Sequence, residues 1–154
     1  MEGFRTVVLT TDFSDLSRRA VPLALLLVRA FGSKLLVVHV VEHVLLPLSD
    51  EFSAVPFQEL LDAQRRHAAQ ALDRFVDSEI RARGFEAEPL LCQGVPHVEI
   101  VRLAAAREAD LIVMATHGRG SISQAVFGST TERVLRHAPC PVLTVRGETT
   151  PRSA

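Results

Sequence analysis

The chain has 154 residues, 47% of them hydrophobic and 23% charged, with a formal net charge of −1. That length holds one domain with a sizeable core and leaves little room for two, and the near-neutral balance excludes the broad basic field that non-specific nucleic-acid binding requires. No basic and then apolar leader precedes the first strand pattern, and the longest apolar stretch, Val21–Val28, contains a proline and is too short to cross a bilayer, so the expected address is cytoplasmic, with no membrane and no nucleic acid as partner.

Along the chain, apolar runs alternate with segments of helical period. Val7–Thr11 is predicted as a buried strand. Ala20, Leu23, Ala24, Leu27, Ala30 and Phe31 then fall at helical spacing, with Gly32 as a stop and Pro22 predicting a kink inside the helix. Leu35–Val41 is a second strand, almost continuously apolar, as a strand covered on both faces must be. His43–Pro56, with two prolines, is expected to be a long loop. Leu61, Ala68, Leu72 and Phe75 share one face of a long helix that Gly84 terminates.

Ala87–Cys92 forms a weaker third strand, and Gly94 and Pro96 turn the chain into a helix with Ile100, Leu103 and Ala104 on its inner face. Leu111–Thr116 is the fourth strand, Ser129–His137 the fourth helix, stopped by Pro139, and Val142–Val145 the last strand. Residues 1–146 are expected to form a single domain, and Gly147–Ala154 a frayed tail. Cys92 and Cys140 have neither CxxC nor metal-ligand spacing and are expected to be buried thiols. Alternation of this kind with short connections predicts an α/β fold, an open five-stranded parallel sheet with helices on both faces. Such sheets bind ligands outside the carboxyl ends of the strands, where strand order reverses. The residues after strands one and four are therefore the candidates.

After strand four the chain reads Met114-Ala-Thr-His-Gly-Arg-Gly and returns as Phe127-Gly-Ser-Thr-Thr-Glu132, with nine residues between Gly118 and Gly128. Gly128 opens a helix whose first turn has spare backbone N–H groups and the positive end of a dipole. Ser129, Thr130 and Thr131 add hydroxyl donors, and Gly118 can bring a second set of amides to the same anion. The same letters also spell a plain capping box, Ser129-x-x-Glu132, and a simple turn at Gly118 and Gly120.

Asp12, at the end of strand one, either accepts hydrogen bonds from an adenine edge or a ribose, or serves the turn before the first helix, with Ser14 or Asp15 as its cap. His117 lies at the same mouth as a phosphate partner or a merely solvated loop histidine. His39 is expected to be packing, Val40 packing or an aliphatic wall for a base, and Phe13 the only aromatic near the mouth.

Several chemistries are excluded. No G-x-x-x-x-G-K-[ST] occurs, and the only lysine, Lys34, starts strand two. No G-x-G-x-x-G follows strand one, and no receiver-type acid cluster, Ser-His-Asp set or Cys-His set emerges from the spacing.

Asp110-Leu-Ile-Val-Met-Ala-Thr-His-Gly-Arg119, the run Gly128-Ser-Thr-Thr-Glu-Arg-Val-Leu-Arg-His-Ala-Pro-Cys-Pro-Val-Leu-Thr-Val145, the opening Val7–Ser14 and the turn Gly94-Val-Pro96 together resemble the universal stress protein (UspA-type) family over roughly residues 4–146. The resemblance implies strand order 3-2-1-4-5, an adenine nucleotide alpha hydrolase-like fold. The ATP-binding branch carries G-x2-G-x9-G-[ST]. Gly118, Gly128 and Ser129 match it, Ala115 replaces the first glycine, and Thr10 stands where a proline often precedes the Thr-Asp pair.

By that likeness Asp12 and Val40 hold adenine and ribose, with Thr10 beside them and Met114 and Ala115 beneath. Gly118 and Gly128 through Thr131 hold the phosphates, and His117 touches a phosphate or the ribose. Implied with them are ATP, with Mg²⁺ on its phosphates, and a homodimer through the last strand, Pro141–Arg146. The leading expectation is a nucleotide-dependent regulatory or sensing module in the stress response. The alternatives are a dimerising stress protein without a nucleotide, supported by Ala115 and Thr10, and a slow ATPase or phosphotransferase, for which no lysine clamp and no general base are evident.

Overall fold

The computed structural model describes residues 3–42, 57–116 and 127–146. In chain order these form β1 (Thr6–Thr10), α1 (Asp15–Arg18), α2 (Val21–Phe31), β2 (Lys34–Val41), α3 (Phe57–Glu79), a 3₁₀ turn (Arg81–Arg83), β3 (Glu88–Gln93), α4 (Pro96–Ala106), β4 (Leu111–Ala115), α5 (Ser129–His137) and β5 (Val142–Val145). The five strands make one sheet in the order β3-β2-β1-β4-β5, parallel at each junction. Its order reverses at β1, which pairs with β2 on one side and β4 on the other. The expected loop His43–Pro56 and tail Gly147–Ala154 lie outside the described residues.

The near-continuous apolar strands are explained by burial on both faces. Val7, Leu9, Leu35, Val37, Leu111 and Val113 point one way and pack with α2 and with Leu72, Phe75 and Val76 of α3. Val8, Leu36, Val38, Ile112 and Met114 point the other way onto Ile100 and Ala104 of α4 and Val134 of α5. Full burial of a side chain of this size stabilises by about 1.5–3 kcal/mol, so one charge at Val8 or Leu9 would break its layer.

Pro22 does not kink a helix. A four-residue helix, α1, ends at Arg18, and α2 starts afresh at Val21 with Pro22 in its first turn, where no backbone N–H is required and the fixed φ suits the helix. Gly32 stops α2 at φ 65, and Gly84 ends the 3₁₀ turn at φ 81, both in the left-handed region where a Cβ is strained. Both cysteines are free and half-buried, and burial pushes both thiols above their ordinary pKa. Among the described residues no helix is long and apolar enough to cross a membrane.

Candidate functional site

At the carboxyl edge, β1 passes into a tightly bonded turn. The Thr11 amide donates to the Val38 carbonyl at 2.9 Å, and the buried Thr11 hydroxyl lies 3.0 Å from that of Ser17 and accepts from the Phe13 amide at 3.0 Å. Asp12 Oδ1 accepts from the Ser14 amide at 3.0 Å and from its hydroxyl at 2.5 Å. Ser14 in turn caps α1 by accepting from the Ser17 amide at 3.2 Å. Asp12 thus has the turn role foreseen as one alternative, and Ser14 is the cap. The same bonds fix the carboxylate at the mouth of the sheet.

Across the switch point, β4 ends with Met114 and Ala115, both buried. Gly128 is the N-cap of α5, with φ −71 and ψ 160, and no side chain caps the helix. The capping box Ser129-x-x-Glu132 therefore does not form: the helix starts one residue earlier than that pattern needs, and Glu132 pairs with Arg136 at 2.8 Å instead. Two expected phosphate donors are also engaged elsewhere. The Gly128 amide donates to the Thr116 carbonyl at 2.7 Å, because an N-cap amide faces back toward the strand it came from. The Thr131 hydroxyl is buried and donates to the Ala115 carbonyl at 3.0 Å. By contrast, the amides of Ser129, Thr130 and Thr131 have no acceptor among the described residues. They form the positive end of a nine-residue helix.

Ala115 needs no left-handed backbone. It lies inside β4, paired in register with Val145, and among the described residues the non-glycine residues at positive φ are Phe13 and Glu108. An alanine in place of glycine is therefore without conformational cost at this position.

These parts line a cleft of about 1170 Å³ along the sheet edge. Thr10, Asp12, Val40, Met114, Ala115, Gly128, Ser129, Thr130 and Thr131 all lie on its wall. His117 and Gly118, with Gly120, fall outside the described residues. Val40 packs toward the α4 and α5 side. His39, expected to be packing, instead reaches the cleft, its Nδ1 2.8 Å from the Thr11 carbonyl and its ring 4.2 Å from that of Phe13. Phe13 is not the sole aromatic there, since Phe75 and Phe127 also line the cleft.

The sequence reading missed a whole wall. Gln64, His67, Ala71, Arg74 and Ser78 of α3 face the cleft. A polar stripe at spacings of three and four was there to be read, but such stripes are usually solvated faces.

Comparison with known proteins gives one consistent result. The model of the universal stress protein family matches residues 3–146. A universal stress protein of Thermus aquaticus is 38% identical over 93% of this chain and 99% of its own. Among solved structures, a universal stress protein in complex with cAMP superposes with a TM-score of 0.68 at 29% identity, covering 93% of this chain and 97% of that one. A universal stress protein from Archaeoglobus fulgidus in complex with dAMP gives 0.62 at 26% identity, covering 94% and 98%.

Proposed function

Since this chain belongs to the universal stress protein family, we propose that it holds an adenine nucleotide, ATP, in the cleft and acts as a nucleotide-dependent regulatory module in the stress response. The observation that carries the proposal is the set of amides of Ser129, Thr130 and Thr131, which have no acceptor among the described residues and belong to residues that line the cleft together with Asp12, whose carboxylate is fixed by Ser14. Helix-terminal amides bind phosphate without a lysine's help, and the chain has no lysine near the site. Asp12 and Thr10 receive the ribose and adenine edge, Val40 and Met114 give the base an apolar wall, and Ala115 closes the floor. His117 and Gly118 are assigned to the phosphates on the family likeness. The cAMP and dAMP complexes of neighbours support an adenine nucleotide as the ligand class.

A Mg²⁺ ion enters on the phosphates, since it keeps several waters and needs few protein carboxylates. Turnover is not part of the proposal: Asp12 is committed to Ser14, and no described group is poised as a base. A homodimer through Pro141–Arg146 belongs to the same reading, because β5 is the last strand of the sheet and pairs with β4 on one side alone among the described residues.

Calorimetry with ATP, AMP and cAMP tests the site. The expected result is one nucleotide per chain and weaker binding in Asp12→Asn, which keeps the acceptor for Ser14 but loses the charge. Absence of heat with all three ligands at sub-millimolar concentrations would refute the proposal.

A further inference from the structure

The proposed nucleotide position uses only one side of the cleft. Successive residues of a strand face opposite sides of a sheet, so where Val40 turns toward α4 and α5, His39 turns toward α3. Phe13 turns with it. Its φ of 65 puts a bulky residue in the left-handed region, a strained conformation that persists only where its surroundings enforce it. Here the bond from its amide to Thr11 and the stacking on His39 do so. The outcome is an aromatic ring, half-buried, set against the α3 side of the cleft, 6.0 Å from Phe75.

Helix α3 supplies the opposing wall because it is longer than the sheet is deep. Its 23 residues span about 34 Å at 1.5 Å per residue, whereas the eight residues of β2 span about 27 Å. Phe75 meets Phe13 at the end of β1, so the turns before it overhang the edge. On the overhang, the small residues Ala68 and Ala71 line the cleft together with Phe13, and Arg74 stands one turn from Ala71. Arg74 has no acidic partner among the described residues, whereas Arg18, on the same side, is tied to Glu79. The bond from Gln64 goes to the main-chain carbonyl of Glu42, and of the other acids lining the cleft Asp12 is bonded to Ser14 and Glu132 to Arg136. The cleft, about 1170 Å³, exceeds the ~300–1,000 Å³ that one small ligand ordinarily occupies.

We propose that the α3 side of the cleft is a second ligand site, for a planar aromatic ring bearing one anionic group, with the ring against Phe13 above Ala71 and the anion on Arg74. A ring stacks well on a phenyl face, and a guanidinium takes a carboxylate with two parallel hydrogen bonds. The site stands independently of the nucleotide assignment, since it shares none of the amides of α5.

The probe is 2-naphthoate, titrated by calorimetry and by its own fluorescence into the full chain, with and without saturating ATP. One naphthoate per chain is expected, unchanged within about twofold by ATP and at least about tenfold weaker in Arg74→Ala, as loss of a charged hydrogen bond implies. Ala71→Phe fills the space and is expected to abolish binding. Phe13→Gly removes the ring while suiting the left-handed backbone, and is expected to weaken it. Urea midpoints check that each variant folds; Arg74→Ala, on an exposed helix face, keeps the test valid where the others do not. No saturable binding, binding in Arg74→Ala equal to the parent, or displacement by ATP would each overturn the proposal. Failure of ATP itself to bind would sink the nucleotide reading and leave this site standing.

Discussion

Ser129→Pro isolates the main-chain grip on a phosphate. Ser129 is the first residue of α5, where proline is favoured because its N–H has no helical partner and its φ is already right. The residue before a proline must be extended, and Gly128 already is, with ψ 160 and no Cβ to clash. The substitution therefore deletes one amide at the cleft wall and leaves the helix intact. Fold stability should hold or rise by about 0.4–1 kcal/mol through the stiffer unfolded chain. Binding should suffer, because a hydrogen bond to a charged group contributes about 1.5–3 kcal/mol, or roughly 10- to 150-fold in Kd. Ser129→Ala, which loses the hydroxyl but keeps the amide, is the control. Calorimetry with ATP and urea unfolding of both variants give the two numbers needed. If Ser129→Pro binds ATP as tightly as Ser129→Ala while both fold normally, the amides of α5 do not hold the phosphates.

Thr131→Val removes the buried bond from the Thr131 hydroxyl to the Ala115 carbonyl; a loss of about 1 kcal/mol in urea unfolding is expected, with the β4 to α5 connection loosened. Ala115→Gly, which restores the glycine of the family pattern, is expected to leave ATP affinity within about twofold and to cost about 0.5–1 kcal/mol of stability as a glycine within a strand; a large gain in affinity would show that the alanine obstructs the ligand after all. Asp110 accepts from the Thr6 and Arg5 amides, each at 2.8 Å, and these bonds hold its carboxyl below the ordinary value. Its contribution is thus present above the unfolded-state pKa of about 3.9 and fades as pH falls through that value toward the lower folded one. Asp110→Asn should flatten that acid limb in thermal melts across pH, and an unchanged acid limb would remove Asp110 as its source.

The order of elements was legible in the residues because each element carries its own signal. Strands covered on both faces must be apolar almost throughout, as Leu35–Val41 is, and helices announce their ends, as Gly32 and Pro96 do, whereas α3 already stops at Glu79 and Gly84 closes only the 3₁₀ turn that follows it. The start of α5 at Ser129 followed from the same local chemistry. Pro22 misled because a proline marks a helix start as readily as a kink, and the choice depended on the separate turn of α1 before it.

At the site the balance shifts. That Asp12, Val40, Ala115 and Ser129 meet at one edge follows from the parallel topology, which the alternation of elements implies. Which donors remain for a ligand does not follow from it. The Gly128 amide is consumed by Thr116 and the Thr131 hydroxyl by Ala115, partners 12 and 16 positions away, and the wall from Gln64 to Ser78 exists only because α3 outruns the sheet. Local pattern dictates the hydrogen bonds an element makes within itself. The groups at its ends are satisfied by whatever the fold brings beside them, and that is a property of three-dimensional packing alone.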